Sequence, residues 1–514
     1  MKIAICSESE EITGLVPKTF RDAQFLMIIN ADNNELLQIY PKEDDRNIGF
    51  AEHILEQDCE AVICGPMEQE PFDMIVAAGV TRYDGSSKKV QRAYDYMRRD
   101  RLPLIKDYIG GPGPHGHSHD YSCECGEEGE SEDEIVEQSS FAAVISAAGM
   151  SSRMGDFKPL MHLGGQVNIL REIHTFLSAG VQQVVIVTGN RADEISTAVE
   201  KEFPGDDRIC LVMNPDYAST PMFESVKIGL KEAGQMGFDA EQRGIFFLPV
   251  DVPLFTKFTL DALIDRFSYD PKDICIPMCD GCDGHPILIR GNALGKVLNG
   301  DDRQGLRSVL AQADLTLARV DVPDPGCMLD ADTPEEYRKL EAEIEYRRTP
   351  DDACCERLLA WAGVTEEGRQ HGLAVAELAA EIAEACSEEV EAQGRMLNIG
   401  QIRSAALLHD LLKGMDQHAE RAGEMLTELG MSEVGSIVGT HTTLPEEYLE
   451  TVNENLIVYL ADKLVCGSRR VSLDERFRPK REQYKFMKSA LAGVEKRYQA
   501  ACRAMELVRT AGWQ

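Results

Sequence analysis

Residues 142–160 read AAVISAAGMSSRMGDFKPL, and the order of residue types along them decides how the middle of this chain folds. Positions 142–146 are apolar and small, as in a strand buried on both faces; Ala147, Ala148 and Gly149 then leave room for backbone to approach a ligand. Ser151, Ser152, Arg153 and Gly155 form the loop that follows, with Lys158 just beyond it. A strand opening into such a loop offers N–H groups to a triphosphate, while Arg153 and Lys158 bring fixed and mobile positive charge to phosphoryl oxygens. The stretch fits neither GxxxxGK[ST] nor GxGxxG, so it is neither a P-loop nor a dinucleotide fingerprint.

Working outward, positions 168–179 and 192–202 read as helices. VVIVTG (184–189), ICLVMN (209–214) and IFFLPV (245–250) read as buried strands. This alternation predicts a three-layer α/β domain over residues 138–345, with a mostly parallel sheet covered on both faces. Ligands in such sheets collect at the carboxyl ends of strands, where Asp251 stands. Alone, Asp251 would be an Asx turn or a helix cap. Beside a triphosphate loop in an acidic chain it reads as a Mg²⁺ ligand. In CMLDADTPEEY (327–337), Asp330 is the candidate to complete the Mg²⁺ site and Asp332 to orient the turn, with Thr333 and Pro334 as cap and first turn of a helix.

From Phe141 to Tyr337 these landmarks resemble the nucleotidyltransferase family that contains molybdenum cofactor cytidylyltransferase and molybdenum cofactor guanylyltransferase. AAGMSSRMGDFK (147–158) stands for the nucleotide loop, FLPVDVP (247–253) for the metal-aspartate segment and GHPILI (284–289) for the segment near the acceptor. LDADTPEEY (329–337) stands for the closing motif. NPDYASTPMFESVKIGL (214–230) resembles the substrate loop, with Asn214 and Ser225 in matching places and Pro221 where glycine is usual. The resemblance implies Mg²⁺-dependent transfer of a nucleoside monophosphate to a phosphorylated acceptor, with Arg153, Lys158 and Asp251 carrying the chemistry. Ala148, where the guanylyl branch tends to have glycine, favours CTP, and the acceptor implied is a molybdopterin-type cofactor. His285 would contact the acceptor or serve as a hydrogen-bonded loop histidine. The alternatives are a sugar-phosphate or other small-molecule nucleotidyltransferase, or a cofactor-binding regulatory protein.

Residues 1–108 predict a small α/β domain, with strands at 2–6, 25–29, 36–40 and 61–64 and helices near 50–56, 72–78 and 86–99. The order DAQFLMIINADNNELLQIY, AEHILEQDCEAVICGPM, DMIVAAGVTRYDG resembles the dinitrogenase iron-molybdenum cofactor biosynthesis family. That implies a ribonuclease H-like fold and an iron or iron-molybdenum species; the alternative is an inert or dimerising module. The Gly/Pro/His and acidic stretch 109–137 predicts a linker. Its His115, His117, His119, Cys123 and Cys125 would hold Ni²⁺, Zn²⁺ or iron, or remain solvated.

From 350 to 514 the apolar spacing is helical throughout. His371 shares a face with Val375 and Leu378, His409 and Asp410 sit inside SAALLHDLLKG, and Asp462 interrupts LIVYLADKLV. Buried charge of this kind needs a metal or hydrogen bonds. The series His371, His409-Asp410, His418, His441, Asp462 resembles the HD-domain metal-dependent phosphohydrolases. In that family His371, His409, Asp410 and Asp462 would hold a first divalent ion (Mn²⁺, Fe²⁺, Co²⁺, Ni²⁺ or Zn²⁺), and His418 with His441 would make room for a second. Lys413 would contact a substrate phosphate. The alternative is a structural, metal-stabilised bundle. The basic run 468–497 reads as a solvated helical surface or a dimer contact.

Composition bounds these readings. The 514 residues, 43% hydrophobic, are enough for several cores, and a formal charge of −35 argues against nucleic acid and anionic membranes as partners. Fifteen cysteines are sparse for a disulfide scaffold, and neither a signal peptide nor a membrane span is legible, so a cytoplasmic location is expected. Partners expected from the resemblances are CTP, the phosphorylated acceptor, and a molybdoenzyme or maturation protein.

Overall fold

The computed structural model describes residues 2–10, 14–31, 35–42, 47–86, 88–90, 93, 94, 97, 102, 104, 105, 108, 140–149, 154–235, 243–270, 272–300, 305–312, 314–415, 417–485 and 488–513. The chain divides into two compact units, Met1–Glu132 and Asp133–Gln514.

In the first unit, strands β1 (Lys2–Ser7), β2 (Phe25–Asn30), β3 (Glu35–Pro41), β4 (Ala61–Cys64) and β5 (Thr81–Asp84) form one sheet in the order β3-β2-β1-β4-β5. The three strands β3, β2 and β1 are antiparallel neighbours, while β1, β4 and β5 run parallel. Side chains alternate across β1 with period two. Ala4 and Cys6 join Phe50, Ile54 and Ile75 on one face; Ile3 and Ile5 join Val90, Ala93 and Met97 on the other. Helices Ile48–Glu56 and Gln69–Ala77 supply the first of these layers. The sheet is therefore buried on both sides.

The second unit begins with β6 (Ser140–Ala147). It continues through the hairpin strands β7 (His162–Leu163) and β8 (Gln166–Val167), then β9 (Gln183–Thr188), β10 (Ile209–Met213), β11 (Arg243–Pro249), β12 (Ile274–Cys279), β13 (Cys282–Asp283), β14 (Ile287–Arg290) and β15 (Leu317–Asp321). The main sheet runs β10-β9-β6-β11-β14-β12-β13, with β15 beside β12. Its first half is parallel, but β14 is antiparallel to both β11 and β12, so the sheet is mixed. A βα connection puts the next strand parallel; the short path from β12 through β13 to β14 forces reversal. Phe141, Ala143 and Ile145 of β6 pack with Ile173 and Phe176 of helix Asn168–Ser178 and Leu260 of helix Lys257–Tyr269. Ala142 and Val144 face Val226 and Leu230 of helix Met222–Gly234. Three layers result.

Helix Pro334–Arg348 leads directly into the all-helical part, where Asp351 caps helix Asp352–Trp361. The long helix Glu366–Ala392 lies against Ile399–Leu408 and Glu454–Lys463; Ser432–Gly439 also packs on Ile399–Leu408, and His418–Glu428 packs on Ser432–Gly439. A two-stranded turn, β16 (Val465–Cys466) with β17 (Arg469–Arg470), precedes helices Leu473–Gln483 and Lys488–Thr510. The sheet domain and the helices form one body with no break at residues 346–352. The buried Arg347 guanidinium donates to Asp324 at 2.9 Å and to the Leu254 carbonyl at 3.0 Å. Asp324 also accepts from Thr256 and Thr259 hydroxyls. Across the junction Lys257 pairs with Glu428 at 2.6 Å, Arg348 with Glu433 at 3.0 Å, and Phe258 meets Trp361 edge-on. At Gly326 an added Cβ would lie 2.0 Å from the Leu254 oxygen and 2.2 Å from Arg347, so glycine is required there.

Candidate active sites

The first site forms where β6 and β11 end. The Ala331 N–H donates to the Asp251 carbonyl at 3.0 Å, which fixes the 330–332 turn against the strand-end carboxylate. Thr333 caps helix Pro334–Arg348 in a capping box with Glu336, and the Glu336 carboxylate also accepts the Asp332 N–H at 2.9 Å. Glu336 thus orients the turn, the part expected of Asp332. The Asp332 carboxylate instead takes the Lys158 ammonium at 2.5 Å, and the same ammonium lies 3.3 Å from Asp251. Lys158 is buried, and Asn168 donates to its carbonyl at 3.1 Å. Burial, and then the charge of Asp251, push the Asp330 carboxyl up from its ordinary range, so Asp330 and Asp251 sit within electrostatic reach of each other.

Around this centre, Ala147 and Ala148 are buried at the end of β6, an added Cβ on Gly149 would meet nothing within 4 Å, and Gly155 has φ +78°. Ser151, Ser152 and Arg153 lie outside the described residues. Asn214 is buried and donates to Ser225 at 2.9 Å and Thr220 at 3.3 Å while accepting the Asp216 N–H, so it knots the loop that precedes helix Met222–Gly234. Pro221 immediately precedes that helix at φ −59°, a geometry proline favours. His285 follows Gly284 on the loop before β14, and its N–H donates to the Cys327 carbonyl at 2.7 Å. Burial lowers its imidazole pKa against the opposing pull of Asp251. Sequence reasoning missed Glu172. It is fully buried with no hydrogen-bond partner for either oxygen among the described residues, and burial, aided by Asp251, pushes its carboxyl well up. In NILREIHTFLS nothing distinguishes it from a solvated helix glutamate.

The second site lies among the helices. His371 on the long helix, His409 after helix Ile399–Leu408 and His441 after helix Ser432–Gly439 are buried, and their rings stand 5.1 Å and 4.9 Å apart in sequence. Each pairs Nδ1 with a backbone carbonyl at 2.8 Å: Gly467, Ala406 and Val438 respectively. Those bonds make Nδ1 the donor and aim the Nε2 lone pair inward, the arrangement a metal needs. The Asp462 carboxylate lies 3.3 Å from His371 Nε2 and 3.7 Å from His409 Nε2. Asp410 divides its oxygens, one 3.4 Å from His409 and the other 3.5 Å from His418 and 3.8 Å from His441. Close packing of helices His418–Glu428 and Ser432–Gly439 sets this geometry, since a Cβ on Gly423 would lie 2.7 Å from the Gly435 oxygen.

Two donor sets can hold a divalent ion, His371-His409-Asp462 and His409-Asp410-His441. Among the described residues the buried His409 Nε2 has no hydrogen-bond partner, and lone pairs facing carboxylate oxygens are stabilised by a cation between them. Mixed imidazole and carboxylate donors suit a transition metal. The electrostatics agree. Burial opposes charge on His409, but Asp410 and Asp462 outweigh it and raise its pKa. Burial also opposes ionisation of Asp462 and Asp410, yet Lys463 with His371 and His409, and His409 with His418 and Lys413, hold them well below the carboxylate range. His441 is pushed down to about 3 by burial and by His409.

A cavity of about 370 Å³ opens from these ligands. Lys413 lines it and pairs with Asp410 at 2.5 Å. So do Arg476, Lys480 and Arg497, which belong to the basic run read from sequence as solvated surface or dimer contact. Much of the run, Lys480 included, is exposed as expected, but helices Leu473–Gln483 and Lys488–Thr510 also bring these three side chains to line the cavity, which a sequence rich in both charges does not reveal. Among the described residues of the first unit, no group of three histidine, cysteine or carboxylate donors gathers. His115, His117, His119, Cys123 and Cys125 lie outside the described residues, and no described helix is long and apolar enough to cross a membrane.

Comparison with known proteins matches residues 143–318 to the MobA-like NTP transferase domain, residues 1–99 to the dinitrogenase iron-molybdenum cofactor family, and residues 368–465 to the HD domain. Molybdenum cofactor cytidylyltransferase of Escherichia coli K12 is 25% identical over 199 residues, 39% of this chain and 94% of that protein. The purine catabolism protein PucB of Bacillus subtilis 168 is 31% identical over 199 residues, 38% of this chain and 92% of that protein. A nucleotidyl transferase from Methanothermobacter is similar in structure at 22% identity and a TM-score of 0.34, covering 40% of this chain and 97% of its own.

Proposed function

This chain belongs, through residues 143–318, to the MobA-like NTP transferase family, and from that premise we propose that it transfers CMP from CTP to a molybdopterin-type cofactor. The observation that carries the reading is the buried Lys158 ammonium held between Asp251 and Asp332 at the end of the parallel strands. An oxygen of the acceptor's terminal phosphate attacks the α-phosphorus of CTP, and pyrophosphate leaves. A phosphate monoester is already largely ionised at neutral pH, so the site needs no general base. Lys158, joined by Arg153, neutralises charge on the oxygens of phosphorus as it passes through its crowded transition state. Asn214 and Ser225 hold the loop that positions the acceptor, and His285 stays neutral beside it. Asp251 and Asp330 offer the carboxylate oxygens that Mg²⁺ prefers, and Mg²⁺ when bound supplies charge to the phosphates.

Support for CTP and for this acceptor comes from Ala148 and from the similarity to a molybdenum cofactor cytidylyltransferase. The first domain, read as a ribonuclease H-like fold, would hold an iron or iron-molybdenum species and bring the chain to a molybdoenzyme or maturation protein in the cytoplasm. The helical domain is read as a phosphohydrolase in which His371, His409, His441, Asp410, Asp462 and His418 hold one or two divalent ions, which when bound activate water and steady phosphoryl oxygens. Lys413 binds the phosphate.

Incubation of the full chain with Mg²⁺, a molybdopterin-type acceptor and either CTP or GTP tests the transferase. Pyrophosphate release with CTP, well above that with GTP, is the expected result. No release with either nucleotide would sink the proposal, and the same yield with a sugar phosphate as acceptor would replace the molybdopterin part of it.

A further inference from the structure

We propose that the cavity of the helical domain contains a second anion subsite, formed by Arg476, Lys480 and Arg497, which selects substrates with a further phosphoryl group beyond the one at the metal ligands. Its ligand class is a diphosphate or polyphosphate, not a phosphomonoester. The proposal rests on the phosphohydrolase reading above and deepens it.

The HD match ends at residue 465, and all three cations come from the two helices that follow it. Arg476 and Lys480 are four residues apart on helix Leu473–Gln483 and so share a face. Arg497 projects from helix Lys488–Thr510, where its carbonyl accepts the Tyr459 hydroxyl at 2.8 Å, which ties this wall to the helix that carries Asp462. Phe477 and Val494 line the same wall and lower the dielectric around the charges. Among the described residues neither Lys480 nor Arg497 has a carboxylate within ion-pair distance, and Arg476 reaches Asp462 only at 3.6 Å. Burial and the neighbouring Arg497, Arg476 and Lys463 lower the pKa of Lys480, as expected of like charges packed together.

The charge balance shows what the wall is for. Asp410 and Asp462 are offset by a divalent ion, and Lys413 and Lys463 stand beside them to receive the dianion of one phosphoryl group. Arg476 stands 3.6 Å from Asp462, next to the metal ligands, while Lys480 and Arg497, with no carboxylate within ion-pair distance among the described residues, remain in excess along the same cavity of about 370 Å³. That volume lies within the roughly 300–1,000 Å³ of small-molecule sites. In a chain with a formal charge of −35, a cavity lined by five cations and two carboxylates is an exception that only an anion relieves.

The test is calorimetric binding to the full chain loaded with Mn²⁺, using orthophosphate, pyrophosphate, CMP and CDP as probes, on the unsubstituted chain and on Lys480→Met, Arg497→Met and Arg497→Lys. Bound Mn²⁺ is measured by mass spectrometry and folding by circular dichroism. Pyrophosphate should bind at least about tenfold tighter than orthophosphate, and CDP than CMP. Each Met substitution should remove most of that difference, Arg497→Lys should keep much of it, and Mn²⁺ content should not change. Affinity of the transferase domain for pyrophosphate is common to all four chains and cancels between them. Which of pyrophosphate and CDP binds tighter tells an inorganic from a nucleotide source. Equal affinity for the mono- and diphosphates, or a preference that survives both Met substitutions, overturns the proposal. A diphosphate preference in the unsubstituted chain that the Met substitutions remove, with normal Mn²⁺ but no phosphate released from pyrophosphate, CMP or CDP, would defeat the phosphohydrolase reading and leave the subsite standing.

Discussion

Replacing Lys158 with methionine separates two effects that the proposed transferase mechanism places on one ammonium group. At 3.3 Å from Asp251, the gross attraction at an effective dielectric of 20 is about 5 kcal/mol. The Asp251 side chain is 21% exposed and that of Asp332 is 43% exposed, so solvent screening leaves a net value of about 1 kcal/mol. Mg²⁺ must compete with that ammonium for the same carboxylate, so its removal should tighten Mg²⁺ binding by about fivefold. Loss of a charge that stabilises the transition state should at the same time lower turnover roughly 10²- to 10³-fold. The variant is therefore expected to need less Mg²⁺ for half-maximal rate and to run much more slowly at saturation. A coupled assay of pyrophosphate release from CTP, titrated with Mg²⁺, reads both numbers. Turnover within threefold of the unsubstituted enzyme, or a higher Mg²⁺ requirement, would refute the assignment.

Chelation should lower the melting temperature of the Asp133–Gln514 unit by roughly 3–4 °C, since an ion present at 100 times its dissociation constant stabilises by about 2.7 kcal/mol. Differential scanning fluorimetry with EDTA and with Mn²⁺ restored measures it, and Asp462→Asn should show little difference between the two conditions. Glu172→Gln should stabilise the protein at pH 8 by about 1–3 kcal/mol. The folded carboxyl keeps its proton where the unfolded one releases it near 4.5, so the stability of the natural chain declines as pH rises above that value, and the gap to the glutamine variant should close toward pH 4.5 in urea titrations. Gly326→Ala should cost about 3 kcal/mol or more by driving Arg347 and the Leu254 backbone apart, visible as lost hydrogen-exchange protection in both helix Pro334–Arg348 and helix Lys257–Tyr269. Unchanged protection in either helix would show that the junction accommodates a methyl group.

Much of this organisation is written locally in the chain. Asp251 stood out as a candidate because it follows an apolar strand in the same domain as the phosphate-binding loop of 147–158, and Thr333-Pro334 because cap chemistry is a matter of adjacent residues. His371, His409 and Asp462 could be found one by one, since each interrupts an apolar helix face. What sequence did not disclose depends on how elements meet. The reversed direction of β14 follows from a short connection, not from its composition. Glu172 is isolated by a neighbouring helix and by Asp251, neither of which is near it in sequence. Arg476, Lys480 and Arg497 sit among acidic residues in segments with little apolar content, and only the crossing of two helices turns them to one cavity. The exchange of parts between Asp332 and Glu336 is a choice of rotamers within one turn, below the resolution of residue type.

Helix Pro334–Arg348 reaches the cap of the next helix with only Thr349 and Pro350 between them, and the buried Arg347–Asp324 pair lies at that seam. That pair, with Lys257–Glu428 and Arg348–Glu433, joins the sheet domain and the helices into one compact unit. The amounts of the two activities in a cell are thereby tied to a single folding equilibrium. A lesion at Asp324, a residue with no part in either proposed reaction, would lower the dose of both, and inherited variation at the seam would look like a double deficiency with one cause.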